Sequence, residues 1–323
     1  MPMMAAVFCP SKPQARLPLL WYAKARLSIR RDESTIMVWM CPHCAQSLEV
    51  VESGLVCVSG HRFDRAKEGY VNLLPAQHKR SKNPGDSLEM VQGRRAIHTA
   101  HLYRALADEL VDVVAGCPEV NTLLDVGCGE GYYDGMLSER LPGLSVYGVD
   151  IAKSAVRLAA RDYRKHHYAV ASARQLPVMS STIDLAICIF SPVSDTEIAR
   201  AVRPSGFYLE VGPAARHLWE LKTALYEQPR EHASLRRTIP DGELLREGEC
   251  HYEKQLNNAE LQALVAATPF AFRGYREKRE ALRERSDLTI SLGFSWRLFK
   301  LADWQDAPVS RADSDGALES SGL

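Results

Sequence analysis

The sequence predicts an α/β fold, a Rossmann-like and mainly parallel sheet covered on both faces, preceded by a small N-terminal metal-binding module. Three observations predict it. From residue 121 onward, short apolar runs alternate with helix-compatible stretches, the pattern of strands joined by crossover helices. One apolar run ends in a glycine-rich turn and the next ends in an acid, the arrangement that holds nucleotide-like ligands. Ahead of both stand two short Cys/His pairs, spaced as metal ligands are.

The chain has 323 residues, 46% hydrophobic and 25% charged, with a formal net charge of zero. That suits a large domain with a small one attached. No run reaches membrane-span length, and zero net charge gives no global attraction to nucleic acid, so neither a membrane nor DNA is expected as a partner. Charge is uneven locally: Arg62 to Lys82 holds six Lys or Arg against two acids. Eight cysteines in a chain this long do not make a disulfide scaffold and read as a reducing, cytoplasmic compartment.

Residues 1–38 are basic and irregular and read as a disordered extension. The start codon is expected to be over-called, since Met37 and Met40 stand just ahead of the first motif. Residues 39–75 form the Cys/His module, 76–120 a basic linker and a helix, and 121–304 the main domain. Residues 305–323, rich in Ser, Asp, Gly and Ala, read as a disordered tail.

In the module, Cys41 and Cys44 are followed after twelve residues by Cys57 and His61. Four such ligands on two tight turns suit tetrahedral Zn²⁺, and because protein fills every position the site reads as structural. His43, inside the first pair, is a competing ligand. A module of this size needs such a staple to hold a fold.

In the main domain the expected strands are Thr122–Val126, Ser145–Val149, Tyr168–Val170, Ile183–Phe190 and Gly206–Val211. The expected helices are Gly131–Arg140, Ala152–Arg164 and Thr196–Val202, with Arg203-Pro204-Ser205-Gly206 as a stop signal after the last. Leu288–Phe294 and Trp296–Leu301 read as one long strand or a bulged pair around Ser295.

The turn after the first strand reads Gly127-Cys128-Gly129-Glu130-Gly131 and is preceded by Asp125. A dinucleotide fold prefers G-x-G-x-x-G, but Tyr132 occupies the last glycine position of that pattern. The spacing G-x-G-x-G with an acid before it has the look of the S-adenosylmethionine (SAM) site of class I methyltransferases. A carboxylate there suits a sulfonium ligand bearing an ammonium group and suits a pyrophosphate poorly. The alternative is a tight turn that binds nothing. Asp150, at the tip of the second strand, is placed to take a ribose diol or to cap the helix starting near Lys153.

Taken together, several segments resemble the 23S rRNA (guanine-N1)-methyltransferase family. They are the two Cys/His pairs, the run Phe63-Asp64-x-Ala66-Lys67-Glu68-Gly69-Tyr70-Val71-Asn72-Leu73-Leu74-Pro75, Gln77-His78-Lys79-Arg80-Ser81, Pro84-Gly85-Asp86, the Asp125–Tyr133 loop, Arg216-His217-Leu218-x-Glu220-Leu221-Lys222 and Thr268-Pro269-Phe270. The resemblance covers about residues 40–300. It implies a class I SAM methyltransferase with a zinc module, forming homodimers, that methylates N1 of one guanine in a domain II hairpin loop of 23S rRNA, near the macrolide site. Two subgroups modify neighbouring guanines, and in one the product contributes to macrolide resistance. The resemblance also implies that Tyr103, and Arg216 or His217, border the cofactor.

The chemistry adds further candidates. Methyl transfer from a sulfonium is an in-line displacement, so positioning carries most of it. Guanine N1 is a poor nucleophile until its proton departs, and it sits on the Watson–Crick edge, so the base must be unpaired or flipped out. The strand ending Phe190-Ser191-Pro192 lacks the Asn/Asp-Pro-Pro-aromatic motif common among exocyclic-amine methyltransferases. Phe190 is placed to stack on the base and Ser191 to hydrogen-bond it; core packing is the plain alternative for Phe190. Ala171 and Ser172 stand where related folds contact adenine. Lys79, Arg80 and Lys82 are candidates for phosphate contacts. Two other readings remain, a small-molecule SAM methyltransferase and a non-catalytic zinc-ribbon RNA-binding protein. The zinc module argues against the first, and the intact acids and glycines argue against the second.

Overall fold

The computed structural model describes residues 38–78, 84–235, 238–240, 242–268, 270 and 276–302. The extension before residue 38, the tail after 302 and the stretch 79–83 lie outside the described residues. Lys79, Arg80 and Lys82 are in that stretch.

Three antiparallel strands open the chain: β1 (Leu48–Val51), β2 (Gly54–Cys57) and β3 (Arg62–Asp64). Then come β4 (Val71–Asn72) and helices α1 (Leu88–Thr99) and α2 (Arg104–Ala115). An alternating series follows: β5 (Thr122–Val126), α3 (Tyr132–Arg140), β6 (Ser145–Asp150), α4 (Lys153–Asp162), β7 (His167–Val170), β8 (Ile183–Ile189), α5 (Asp195–Ala201) and β9 (Val202–Pro213). The chain continues through α6 (Trp219–Leu225), β10 (Gly242–Asn257), α7 (Asn258–Ala266), α8 (Arg276–Arg283) and β11 (Asp287–Leu301).

The large sheet has the order β10-β11-β9-β8-β5-β6-β7-β4. From β9 to β4 all neighbours are parallel, while β11 runs antiparallel between β9 and β10. Each expected strand is present, four of them within a residue at their ends, while the fifth, expected at Gly206–Val211, starts four residues earlier, at Val202. The Arg203–Gly206 stop signal lies inside β9, where the pairing with β8 slips between Ile183 and Leu185 and Ser205 takes φ 57°. The two C-terminal apolar runs are one strand, β11. Tyr103, expected on a helix, stands at its start, as the N-cap of α2.

Side chains alternate across the sheet, as strand geometry requires. Leu123, Leu185, Ile187 and Ile189 enter a core with α2, α3, α6 and α7. Leu124, Val126, Ala186 and Cys188 enter the opposite core, with Ile198 of α5 and with Trp39, Cys41, Leu48, Leu55 and Cys57 of the small module. The module therefore covers one face of the sheet rather than hanging from it. It is also stitched to the edge. β4 pairs in parallel with β7, Val71 beside Ala169, and the Leu73 N–H donates to the Val170 carbonyl at 3.0 Å. Met40 N–H donates to Pro177 at 2.8 Å, and the Trp39 ring meets Tyr147 edge-on at 5.3 Å. Tyr70 is buried with Val156, Tyr168 and Val170, so the Lys67-to-Leu74 motif acts as the joint.

α1 crosses α7 closely because Gly93 has no side chain. A Cβ there would stand 2.7 Å from the Ala263 carbonyl.

Candidate cofactor site and metal centre

The strand order reverses at β5, and in open α/β sheets ligands bind beyond the strand ends at such a point. There β5 runs into the glycine loop. Gly127, Gly129 and Gly131 have φ of 86°, 55° and 82°, values that a side chain rarely tolerates. The N–H groups of Gly127 and Cys128 both donate to the Val149 carbonyl, at 2.8 and 3.1 Å, tying the loop to β6. A Cβ on Gly129 would have only an Arg94 nitrogen near it, at 3.7 Å, so this glycine faces open space. Ser191 sits directly over Gly127, where an added Cβ would collide with its side chain.

Asp150 accepts from Gly129 N–H at 3.0 Å and from Ala152 N–H at 2.7 Å. It thus shapes both the loop and the turn into α4, whose N-cap is Ala152. Burial pushes its carboxyl up, against the pull of these two donors. Ala171 N–H donates to the Asp150 carbonyl at 3.0 Å, which brings Ala171 and Ser172 to the same end of the sheet. The Ser172 hydroxyl accepts from Arg174 N–H at 3.2 Å.

Asp125 lies beneath the loop, and its Oδ1 has no hydrogen-bond partner. An orphaned buried acid under an open glycine cradle fits a ligand that carries an ammonium group and an adenosine, as SAM does. Glu130 points elsewhere. It meets His98 Nδ1 at 2.7 Å and Arg95 at 3.5 Å, both on α1, and the His98 ring stacks on Tyr132 at 4.1 Å. Glu130 therefore fastens the loop to α1 with its side chain. Nothing in the sequence paired it with a histidine 32 positions upstream.

Across β8 the site becomes aromatic. Phe190 is 44% exposed and takes φ 55°, an outlying conformation for a bulky residue. Its N–H is held by the Val211 carbonyl at 3.0 Å. Around it stand Tyr103 at 6.4 Å, His217 at 6.0 Å and Phe294 at 5.8 Å between ring centroids. Phe294, at the centre of β11, joins the group although no sequence motif marks it. Gly293 N–H donates to His217 Nδ1 at 3.4 Å, leaving the ring proton on Nε2. Burial, with His232 nearby, drives His217 down to about 3, so its imidazole stays neutral. Arg216 is exposed and lies over the Trp219 ring at 4.7 Å. The structure brings together Tyr103, Phe190, Ser191, His217 and the glycine loop, and turns Glu130 and Arg216 away.

In the module, Cys41, Cys44, Cys57 and His61 have ligand atoms all within 4.8 Å of one another. The nearest pairs are 3.3 Å for Cys57–His61 and 3.6 Å for Cys41–His61 and Cys44–Cys57. Zinc bond lengths give tetrahedral edges of about 3.5–3.8 Å, so these atoms are set for one ion. Gly60, with φ 83°, makes the turn that returns His61 to Cys57. His43 lies outside the cluster and stacks on Phe63 at 5.9 Å. Backbone N–H from Gln46 pulls the Cys44 thiol down to about 6, which favours a thiolate ligand. No disulfide occurs among the described residues.

Residues 123–206 match the family described as a methyltransferase domain, the class that the strand order and the cradle define. Residues 39–82 match the family described as "RlmA, N-terminal", a zinc ribbon. A "23S rRNA (guanine(748)-N(1))-methyltransferase" of Streptomyces fradiae is 35% identical over 189 residues, 57% of this chain and 66% of that protein. A Micromonospora griseorubida protein named "Putative 23S rRNA (guanine-N(1)-)-methyltransferase" is 31% identical over 201 residues, 56% of this chain and 67% of that protein. A Bacillus subtilis (strain 168) protein named "Putative 23S rRNA (guanine-N(1)-)-methyltransferase YxjB" is 27% identical, over 79% of this chain and 95% of that protein. The chain belongs to the 23S rRNA (guanine-N1)-methyltransferase family.

Proposed function

We propose that this protein transfers the methyl group of SAM to N1 of a guanine in 23S rRNA, in an unpaired loop of a domain II hairpin. The observation that carries this reading is the union of a zinc ribbon with a SAM-type cradle in one body, the ribbon packed on the cofactor sheet and paired with β7. A small substrate requires no such ribbon, whereas an RNA hairpin needs a second surface to orient it.

SAM supplies an electrophilic methyl on a sulfonium when bound. Asp125, Gly127, Gly129 and Gly131 hold its amino-acid end, and Asp150, Ala171 and Ser172 its adenosine. Phe190, held in its strained conformation, offers a face on which an unstacked base can lie, and Ser191 stands between that face and the glycine loop. The neutral His217 can donate from Nε2 and cannot repel a cationic ligand. We assign residues 39–75 to the ribbon, 76–120 to the connection and 121–304 to the catalytic domain. In this reading the protein acts as a cytoplasmic homodimer, and its product contributes to macrolide resistance where the guanine modified is that of the resistance subgroup.

Primer extension on 23S rRNA tests the function, because a methyl on guanine N1 blocks Watson–Crick pairing and stops reverse transcriptase. A deletion strain should lose one stop in the domain II hairpin and regain it on complementation. An unchanged stop pattern overturns the reading. Lys79 and Arg80 are assigned to RNA phosphates. A Lys79→Ala/Arg80→Ala variant should keep its SAM affinity, bind RNA more weakly and show a shallower salt dependence. An unchanged salt slope removes them from the interface.

A further inference from the structure

Asp125 has a buried neighbour that the cradle alone does not explain. Asp134, on the first turn of α3, is 0% exposed, and Asp125 is 2% exposed. The two carboxyls are within hydrogen-bonding reach of each other. Tyr168 donates its hydroxyl to Asp134 Oδ2 at 3.0 Å, and His166 meets the same hydroxyl at 3.2 Å. Each acid keeps an Oδ1 with no donor directed at it.

Two ionised carboxylates can only accept, so as anions they would repel each other and leave both oxygens unsatisfied. One proton between them supplies the missing hydrogen bond and removes a charge. The other groups acting on the pair do not replace that proton. Asp150 on β6 adds negative charge, Tyr168 on β7 is neutral, and the Cys128 thiol in the loop is itself pushed up by burial and by these acids. Arg94 of α1 acts on Asp150, but no cation is among the groups acting on Asp125 or Asp134 in the described residues.

We propose that Asp125 and Asp134 share one proton until SAM binds, and that the ammonium group of SAM displaces it to solvent. Asp134 is then a positioning residue that sets the charge Asp125 presents to the cofactor. This rests on the glycine cradle being the SAM site. The balance is simple: one cation enters, one proton leaves, and the net charge of the buried site does not change. Below the range where the pair gives up its proton unaided, SAM affinity rises with pH.

Calorimetric titration of the full-length wild type with SAM, at about pH 6 in two buffers of different ionisation enthalpy, counts the protons released. The amino group of the ligand is still charged there. The expected result is about one proton released per SAM. 5′-Methylthioadenosine, which lacks the amino acid portion, should bind and release none. Asp134→Asn cannot share a proton in the same way and should bind SAM with less than half the wild-type release. A wild type that binds SAM and releases no proton overturns the proposal, as does equal release with methylthioadenosine. A wild type that binds no SAM overturns the cofactor reading and this proposal with it.

Discussion

The two faces of the sheet are covered by different kinds of structure. Leu123 faces helices, which bring their own backbone hydrogen bonds and a broad apolar surface. Leu124, one residue on, enters a core that α5 shares with a ribbon of three short strands whose shape depends on four metal ligands. One side is closed by helix packing alone and the other in part by packing onto a surface that metal ligands hold in place. Under forty residues of ribbon cannot supply a core of their own, so the ribbon borrows that of the sheet, and the sheet in turn depends on the ribbon for its cover.

The largest effect should come from breaking the metal site. Structural zinc contributes on the order of 10 kcal/mol to small domains of this kind. Chelation, or Cys57→Ser, should abolish stoichiometric zinc and remove hydrogen-exchange protection from residues 38–64. Because Trp39 and Val71 are shared with the sheet, thermal unfolding should remain a single transition at a lower temperature. Full zinc content in Cys57→Ser would reject the ligand set. A sheet transition that stays where it was would show the two faces to be independent.

A second test separates the faces directly. Leu123→Ala and Leu124→Ala each remove a fully buried side chain and should cost about 2–5 kcal/mol in denaturant unfolding. The coupling should differ. With zinc removed, Leu124→Ala should cost less than in the loaded protein, since its cover is already loosened, while the cost of Leu123→Ala should barely change. Equal changes at both positions would mean that the ribbon covers neither face preferentially.

What could be read in advance follows the same division. The ribbon ligands and the parallel strands were legible because spacing and continuous apolar runs encode them locally. β10 was not. No strand was expected there, because Glu243, Arg246, Glu247, Glu249, Glu253 and Lys254 interrupt any apolar run; they occupy an edge of the sheet, where charge discourages pairing with other molecules. In the site, the glycine loop, Asp125 and Asp150 were visible as a motif. Asp134, Phe294 and the His98–Glu130 contact were not, because each depends on elements that only the tertiary fold brings together. Glu130 shows the limit: its place in the motif was plain, but its side chain serves the packing of α1.

The cofactor end of the sheet sharpens the comparison at smaller scale. Asp150→Ala should lower SAM affinity by at least tenfold, roughly 1.4 kcal/mol, by losing both the ribose partner and the acceptor that shapes the loop. Gly129→Val should do the same by filling the open space above the loop. Neither position touches the ribbon, so zinc content should be unchanged in both. Normal SAM binding by calorimetry in both folded variants would move the cofactor elsewhere.

The last expected effect is a slope in pH, small at any one pH step, and it opposes two buried groups. His217 is held down to about 3 by burial, so between that value and its ordinary 6.5 the unfolded chain takes up a proton that the fold refuses. Its contribution is complete above about 6.5 and is lost as pH falls. Asp134 is raised by burial from 3.8 to about 7, so in that range the fold keeps a proton that the unfolded chain gives up. Its contribution is complete below the unfolded value and is lost as pH rises. Each group bends stability by at most about 1.4 kcal/mol per pH unit, and in opposite directions, which leaves the wild type nearly flat between pH 4 and 6.5 as far as these two are concerned. Removing one should expose the other. Relative to wild type, His217→Asn should lose stability as pH rises across that interval, and Asp134→Asn should gain it. Denaturant unfolding at several pH values measures both slopes. Slopes of the same sign would show that burial does not fix the charge states of these two groups as the structure implies.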